Sequence, residues 1–330
     1  MRNIICVVRS SAGRKNFLPQ ITQITQIKRY HLWLVLLLAA YSSVAAQTAP
    51  VPRAPKVPTL TLRTQPQAQV WVDEVLRGTA DDKGQLALPL KAGRHVLRVR
   101  ATGYREITRP LLAVPRVPLA VRLVPSQNAA ELVFQQAEIA RAAAQTVADK
   151  QKAVALYRRA LQLRARYAEA HVGLARLLSD LAQYDDALAQ IDLAQAARPG
   201  YAEAAAVEGR IYRAQGDDEN AVTAFQDALR AARNNQPEAH TGLALLYAEK
   251  GQHAEAAAAL EIALSQLYDT EPLLYQLLGE NYEKLEQYAK AVTAYEKYLA
   301  LAPDGKLAPA IRSTIDQLRR QAADPNTPDI

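Results

Sequence analysis

The stretch from Ala168 to Gly200, AEAHVGLARLLSDLAQYDDALAQIDLAQAARPG, decides how this 330-residue chain is read. Its first half puts Leu174, Ala175 and Leu178 three or four apart on one helical face, and its second half does the same with Ala187, Ile191 and Ala194. The pattern then recurs. Ala175, Gly209, Ala244 and Gly279 stand 34, 35 and 35 residues apart, and Ala187, Ala221, Ala256 and Ala291 keep the same step. Four residues after each of the latter comes a large apolar side chain: Ile191, Phe225, Leu260 and Tyr295. Upstream, Ala153, Tyr157 and Ala160 open the series. A period of this length means helix pairs stacked in a row, each burying its apolar face on the next, rather than one closed core. Small residues at the helix crossings let backbones approach, and the large ones fill the flanking space.

Punctuation supports the pairing. Gly216 and Gly251 mark the turn inside a pair, where Ala182 and Glu286 stand in two other units. Pro237 and Pro272 suit a first helical turn, and Pro199 and Pro303 follow second helices. An alanine-rich coiled coil is set aside, because Gly209, Gly279 and the prolines break a seven-residue seam. These residues resemble the tetratricopeptide repeat, with about five units over 128–305, the first of them degenerate. The resemblance implies an all-α superhelix (an α-solenoid) whose concave groove, lined by the first helix of each pair, holds a protein or peptide partner. Residues just after the small position then point inward: Arg176, Arg210 and Arg213, with Glu280 and Glu283 toward the C-terminal end. That gives a basic centre and an acidic end; the rival reading is a solvated, salt-bridged surface. The carboxylate clamp of repeats that hold chaperone C-termini is not matched, since Val172 and Ala206 fall where it needs polar groups. Leu307, Ile311, Ile315 and Leu318 form one stripe of a capping helix expected at 306–320, followed by a polar, disordered tail over 321–330.

Ahead of the repeats the period changes to two. Leu60 and Leu62, Val70 and Val72, Leu86, Leu88 and Leu90, His95, Leu97 and Val99, and Leu119, Val121 and Leu123 alternate, with turn signals such as Asp81-Asp82-Lys83-Gly84 between them. A small all-β sandwich is expected over 59–125. The runs Pro66 to Asp73, Gly78-Thr79 and Ala92 to Val99, with Gly103-Tyr104, resemble the PEGA domain, a small β-sandwich of bacterial envelope and surface proteins. Asp73-Glu74 stands where that family has Asp-Gly, and the first turn lacks the family's glycine. The resemblance implies a binding or spacer module without catalysis. Trp71 is either a packed strand residue or a platform for stacking sugar, and His95 is read as a core or hydrogen-bonded histidine.

Residues 1–46 carry six basic and no acidic residues, an apolar run from Leu32 to Ala40, and the small residues Val44 and Ala46 before Gln47. This is the three-part pattern of a secretory signal peptide. Export to the periplasm or envelope is expected, with cleavage after Ala46 or retention as an uncleaved anchor; 47–58 is a Pro-rich linker. Without the leader, 34 basic residues face 33 acidic ones, so the basic balance of the whole chain (40 against 33) belongs mostly to the leader. Nucleic-acid binding loses its support. Cys6, the one cysteine, also lies in the leader.

The remaining charge is asymmetric. Residues 47–127 have 13 basic and 5 acidic residues, and 128–330 have 21 and 28. Either the β-rich part meets an acidic polymer, a membrane surface or an acidic protein, or the two parts attract each other. His95, His171, His240 and His253 lack metal-ligand spacing, no phosphate loop or nucleophile elbow is present, and Asp185-Asp186 and Asp217-Asp218 fall where helix starts use acids. No cofactor and no enzymatic activity are expected. The sequence reads as an exported scaffold that binds a protein through its repeats; the alternative is a cell-wall or acidic-polysaccharide binder using the basic β-rich part, with the repeats as spacer.

Overall fold

A computed structural model describes residues 58–322, apart from residue 116. The expected leader, all but the last residue of the linker, and the tail from residue 323 lie outside the described residues. Seven short strands come first: β1 (Thr59–Arg63), β2 (Gln69–Val72), β3 (Val75–Thr79), β4 (Gln85–Pro89), β5 (His95–Arg100), β6 (Ile107–Leu111) and β7 (Leu119–Ala120). They form two sheets, in the orders β4-β1-β7 and β3-β2-β5-β6. All pairs are antiparallel except β1 with β7. The alternating residues Leu60, Leu62, Leu88, Val70, Val72, Leu97 and Val99 meet between the sheets as one buried cluster. Strand β6 carries Pro110, which costs no ladder bond because β6 is the outer strand of its sheet.

The hairpin between β2 and β3 turns on Asp73 and Glu74, with φ of 52° and 65°. Left-handed backbone at both central residues is what a tight two-residue hairpin needs. Asp73 fits because its carboxylate has local donors: it accepts from the Val96 amide at 2.8 Å and pairs with His95 Nδ1 at 2.6 Å. His95 is thus hydrogen-bonded, its other ring nitrogen lying 2.9 Å from the Lys91 carbonyl.

Eleven helices follow among the described residues. They are α1 (Ala129–Ala143), α2 (Val147–Leu163), α3 (Ala168–Asp180), α4 (Tyr184–Ala197), α5 (Ala202–Gln215), α6 (Asp218–Ala231), α7 (Pro237–Glu249), α8 (His253–Gln266), α9 (Pro272–Lys284), α10 (Tyr288–Leu301) and α11 (Ala308–Ala322). The first ten pair consecutively as five hairpins, and α11 packs on α10. Their starts follow local chemistry. Asn128 caps α1 through the amides of Ala130 and Glu131, Thr146 and Asp149 form a reciprocal capping box on α2, and Asp217 caps α6.

What sets the spacing between helices is an aromatic ring pressed against bare backbone. Tyr157 packs on Gly173, Phe225 lies between Gly209 of α5 and Gly242 of α7, and Tyr295 packs on Gly279. A Cβ built at Gly209 would sit 2.7 Å from Phe225, well inside contact distance, so the ring serves two successive repeats only because both helices lack side chains there. Gly242→Ala should therefore cost about 1–3 kcal/mol by overpacking. Ala182 and Glu286 sit at φ of 56° and 59° in the turns where Gly216 and Gly251 occupy the equivalent places. Relief of left-handed strain, less the greater freedom of glycine in the unfolded chain, should make Ala182→Gly stabilising by about 0.5–1 kcal/mol. Urea unfolding of the two variants checks both signs.

Candidate functional site

The β-sandwich rests on the solenoid. Gln135 of α1, itself buried, accepts from the Gly103 amide at 2.8 Å and donates to the Tyr104 carbonyl at 2.8 Å. Beside it Glu131 accepts from the Glu106 amide at 2.8 Å and from Ser126 Oγ at 2.6 Å. The segments between successive helix pairs supply further contacts. Arg198, after α4, pairs with Glu74 at 3.3 Å; Asn235, after α6, donates to the Asp73 carbonyl at 3.2 Å. At the end of α8, Gln266 accepts through its backbone carbonyl from Arg77, whose guanidinium lies 4.5 Å from the Tyr268 ring centre. Tyr268 packs against the sandwich core, and its hydroxyl accepts from the Lys91 amide at 3.2 Å. The junction is held mostly by hydrogen bonds to backbone groups, with one ion pair, Arg198–Glu74, in which the solenoid supplies the cation.

Between the β2-β3-β5 face and the first helices of the pairs is a cavity of about 640 Å³. Trp71 lines the sheet wall, with the guanidinium of Arg98 4.5 Å and that of Arg100 5.0 Å from its ring centre. Arg100 also lies 4.8 Å from the ring of Phe134 in α1 and pairs with Glu106 at 2.6 Å. The structure therefore places Trp71 beside two arginines on the wall that faces the solenoid.

Of the residues expected to line the groove, Arg176, Arg210 and Arg213 do line this cavity, and they differ from one another. Arg176 of α3 reaches two later repeats: its Nη1 and Nη2 bond Glu238 of α7 at 2.8 and 2.6 Å, and Nη2 lies 3.4 Å from Glu203 of α5. Burial alone would lower its pKa; Glu238 and then Glu203 outweigh that and raise it. Burial pushes Glu203 the other way, but Arg176 and the Tyr201 hydroxyl hold it below the usual carboxylate value. Arg213 pairs with Glu249 at 2.8 Å toward the outside. Arg210 has no such ion pair among the described residues: burial pulls its pKa down, and neighbouring Arg176 adds to the effect.

Glu280 and Glu283, expected toward the C-terminal end of the groove, do not line this cavity. Glu280 is exposed and bonded by Gln276 at 2.8 Å, while Glu283 accepts from the Tyr295 hydroxyl. Both are engaged with their own helix pair. Sequence reasoning also missed Glu169, Glu203 and Glu238, although they repeat at steps of 34 and 35 near the start of successive first helices. The four described histidines serve separate local hydrogen bonds: His171 with Gln190 and the Ala165 carbonyl, His240 with the Asn234 carbonyl, His253 with Asn281, and His95 as above. Among the described residues no three of His, Cys, Asp and Glu are grouped to hold a metal ion.

The fold is that of a tetratricopeptide-repeat array behind a small β-sheet region. Tetratricopeptide-repeat family models match residues 149–211, 207–272 and 272–304. Among solved structures, TTC0263, a thermophilic TPR protein of Thermus thermophilus, is 25% identical with a TM-score of 0.48, covering 58% of this chain and 100% of that one. Pseudomonas aeruginosa pilF is 17% identical (TM-score 0.48; 58% of this chain and 89% of that one), and YrrB, a TPR protein with an unusual peptide-binding site, is 20% identical (TM-score 0.39; 57% and 94%). No protein of curated function matches the sequence.

Arg176→Met should leave Glu203 and Glu238 without their shared cation. Breaking a buried pair costs about 3–5 kcal/mol, and because both acids are a third exposed the expected loss is about 2–3 kcal/mol at pH 7. Glu203 has a depressed folded pKa, so its contribution is full above the ordinary carboxylate range and is lost as pH falls through the folded value. The gap between wild type and variant should narrow below about pH 4. Urea unfolding at the two pH values reads it; a gap that widens in acid contradicts the assignment.

Proposed function

We propose that this chain is an exported, non-enzymatic scaffold of a bacterial envelope that binds a protein partner through its repeat groove, with the PEGA-like β-sandwich forming one wall of the binding site. The observation that carries this is the cavity itself. Groove residues from α3, α5, α7 and α9 face it, the β-domain closes one side, and its volume of about 640 Å³ lies in the range that holds a ligand rather than solvent alone. The repeats support protein binding, the work to which solenoid surfaces are suited. Export rests on the leader pattern of residues 1–46. The polysaccharide reading is the weaker one, because Trp71, Arg98 and Arg100 face the solenoid rather than the surroundings.

A photo-crosslinking amino acid tests the site in cells. Leu273 lines the cavity and is 59% exposed, whereas Leu193 is 49% exposed and is not a cavity residue. A discrete protein adduct is expected from position 273 and not from 193; equal labelling, or none at 273, would remove the groove as the partner site. Mass spectrometry of the protein from the same cells should find Gln47 at the mature N-terminus, or the full leader retained in the membrane fraction. A full-length chain in the cytosol contradicts export.

A further inference from the structure

One end of the sandwich carries exposed apolar side chains. Leu112, just past β6, is 72% exposed, and Val117, shortly before β7, is 70% exposed. The pairing registers gather several loops at this end. His95 stands opposite Leu111, so Arg94 and Leu112 adjoin just beyond the pair. Strand β7 runs parallel to β1 with Leu119 beside Leu62, which sets Val117 toward the start of β1. Thr59 pairs with Pro89, and the Leu90 amide donates to the Pro58 carbonyl at 2.8 Å. Lys91 and the point where the preceding chain joins therefore lie here too. Lys91 and Arg94 are exposed, and neither has a carboxylate partner among the described residues. The acids at this end are taken: Asp73 by His95, and Glu74 by Arg98 and Arg198. The solenoid adds charge of the same sign. This end of the sandwich is received by the segments after α4, α6 and α8. The first three segments between helix pairs, 164–167, 198–201 and 232–236, carry Arg164, Arg166, Arg198 and Arg233 and no acid. Of these four, Arg198 alone is in an ion pair among the described residues. Asp269, Glu271 and Asp304, the acids of the row, lie in the two later segments.

We propose that this end of the sandwich rests on an anionic membrane surface, with Leu112 and Val117 entering the headgroup layer and Lys91, Arg94 and Arg233 drawing it there. The proposal deepens the export reading and rests on it. Single exposed apolar residues are ordinary on a protein surface. Here two of them coincide with unpaired cations and with the place where the chain from the leader joins. Apolar side chains gain burial at the boundary of headgroups and acyl chains, and each basic side chain within a Debye length of an anionic leaflet adds attraction. An acidic polysaccharide would engage the cations but offers no apolar layer for Leu112 and Val117 to enter. Two apolar side chains and a few cations make a reversible contact. A retained leader would hold the same face to the membrane.

A dye placed on the apolar tip reads the contact. Cys6 is the one cysteine of the chain, so Cys6→Ser with Leu112→Cys leaves a single site for an environment-sensitive fluorophore. A second full chain carries Leu193→Cys instead, on α4 at a 49% exposed position. Each is titrated with vesicles of phosphatidylglycerol and phosphatidylcholine in equal parts, with vesicles of phosphatidylcholine alone, and with dextran sulfate. Anionic vesicles should shift the emission at position 112 to the blue, saturably and less as salt rises, and leave position 193 unchanged. Both chains carry the same leader, so the difference between them belongs to this face. Lys91→Glu combined with Arg94→Glu, both at exposed positions, should weaken the response at 112 at least about tenfold. No shift at 112, equal shifts at 112 and 193, an equal response to phosphatidylcholine alone, or an unchanged response in the charge-reversed variant overturns the proposal. A response to dextran sulfate and not to vesicles overturns it as well and assigns the face to an acidic polymer. Should the dye stay silent on a chain that is exported and crosslinks at position 273, this inference alone falls. A full-length chain in the cytosol removes the export reading and this one with it.

Discussion

One guanidinium holds the middle of this molecule in shape. Arg176 leaves α3 and binds Glu203 of α5 and Glu238 of α7, so the first helices of three consecutive repeats share a single cation. The aromatic rings wedged on Gly173, Gly209, Gly242 and Gly279 fix how closely neighbouring helices approach, but contacts of that kind reach only the next helix or two. Arg176 adds a constraint of longer range on the concave side, tying residues 62 positions apart. It also decides the electrostatics of the groove. By consuming two carboxylates it leaves Arg210, the residue after Gly209, with a buried N–H that nothing accepts.

The β-sandwich completes the groove rather than hanging beside it. It touches α1 through Gln135 and Glu131 and the inter-repeat loops after α4, α6 and α8 through Arg198, Asn235 and Tyr268. Arg77, Arg98 and Arg100, three of the basic residues that make the strands positive, are spent on this contact or on the cavity it encloses. Mutual attraction of the two parts, one of the explanations of the charge asymmetry, is seen where Glu138 stabilises the charge of Arg100 and where Arg98 and Arg100 help to hold Glu203 ionised. Stacking of Arg100 on Phe134 adds an aromatic contact to a junction otherwise made mostly of hydrogen bonds to backbone groups.

The helix pairs were legible because their information is periodic: Gly209 and Gly279 recur at the same step as Ala175 and Ala244, and the physical reason is steric. The row Glu169, Glu203 and Glu238 carries the same period and was equally available, but acids near a helix start have a sufficient local explanation in the helix dipole, and this hid their long-range role. Among the strands, β3 and β6 escaped because Val75 to Thr79 and Ile107 to Leu111 do not alternate cleanly, with Gly78 and Pro110 interrupting them. Trp71 could not be placed at all from sequence. Whether a strand residue faces solvent or a neighbouring domain is set by contacts more than a hundred residues away, such as that of Arg198 with Glu74, which no local pattern encodes.

The seating of the sandwich on the solenoid is the premise of the whole account, and the backbone amides at the junction report it directly. The amides of Gly103, Glu106 and Lys91 have solenoid side chains as their partners: Gln135, Glu131 and Tyr268. Site-resolved hydrogen exchange on the full chain should find all three protected, with Gly103 released selectively by Gln135→Ala and Lys91 by Tyr268→Phe. Exchange of the three at the rate of free loop amides in the wild type would mean that the sandwich is not seated on the repeats, and the composite cavity would not exist.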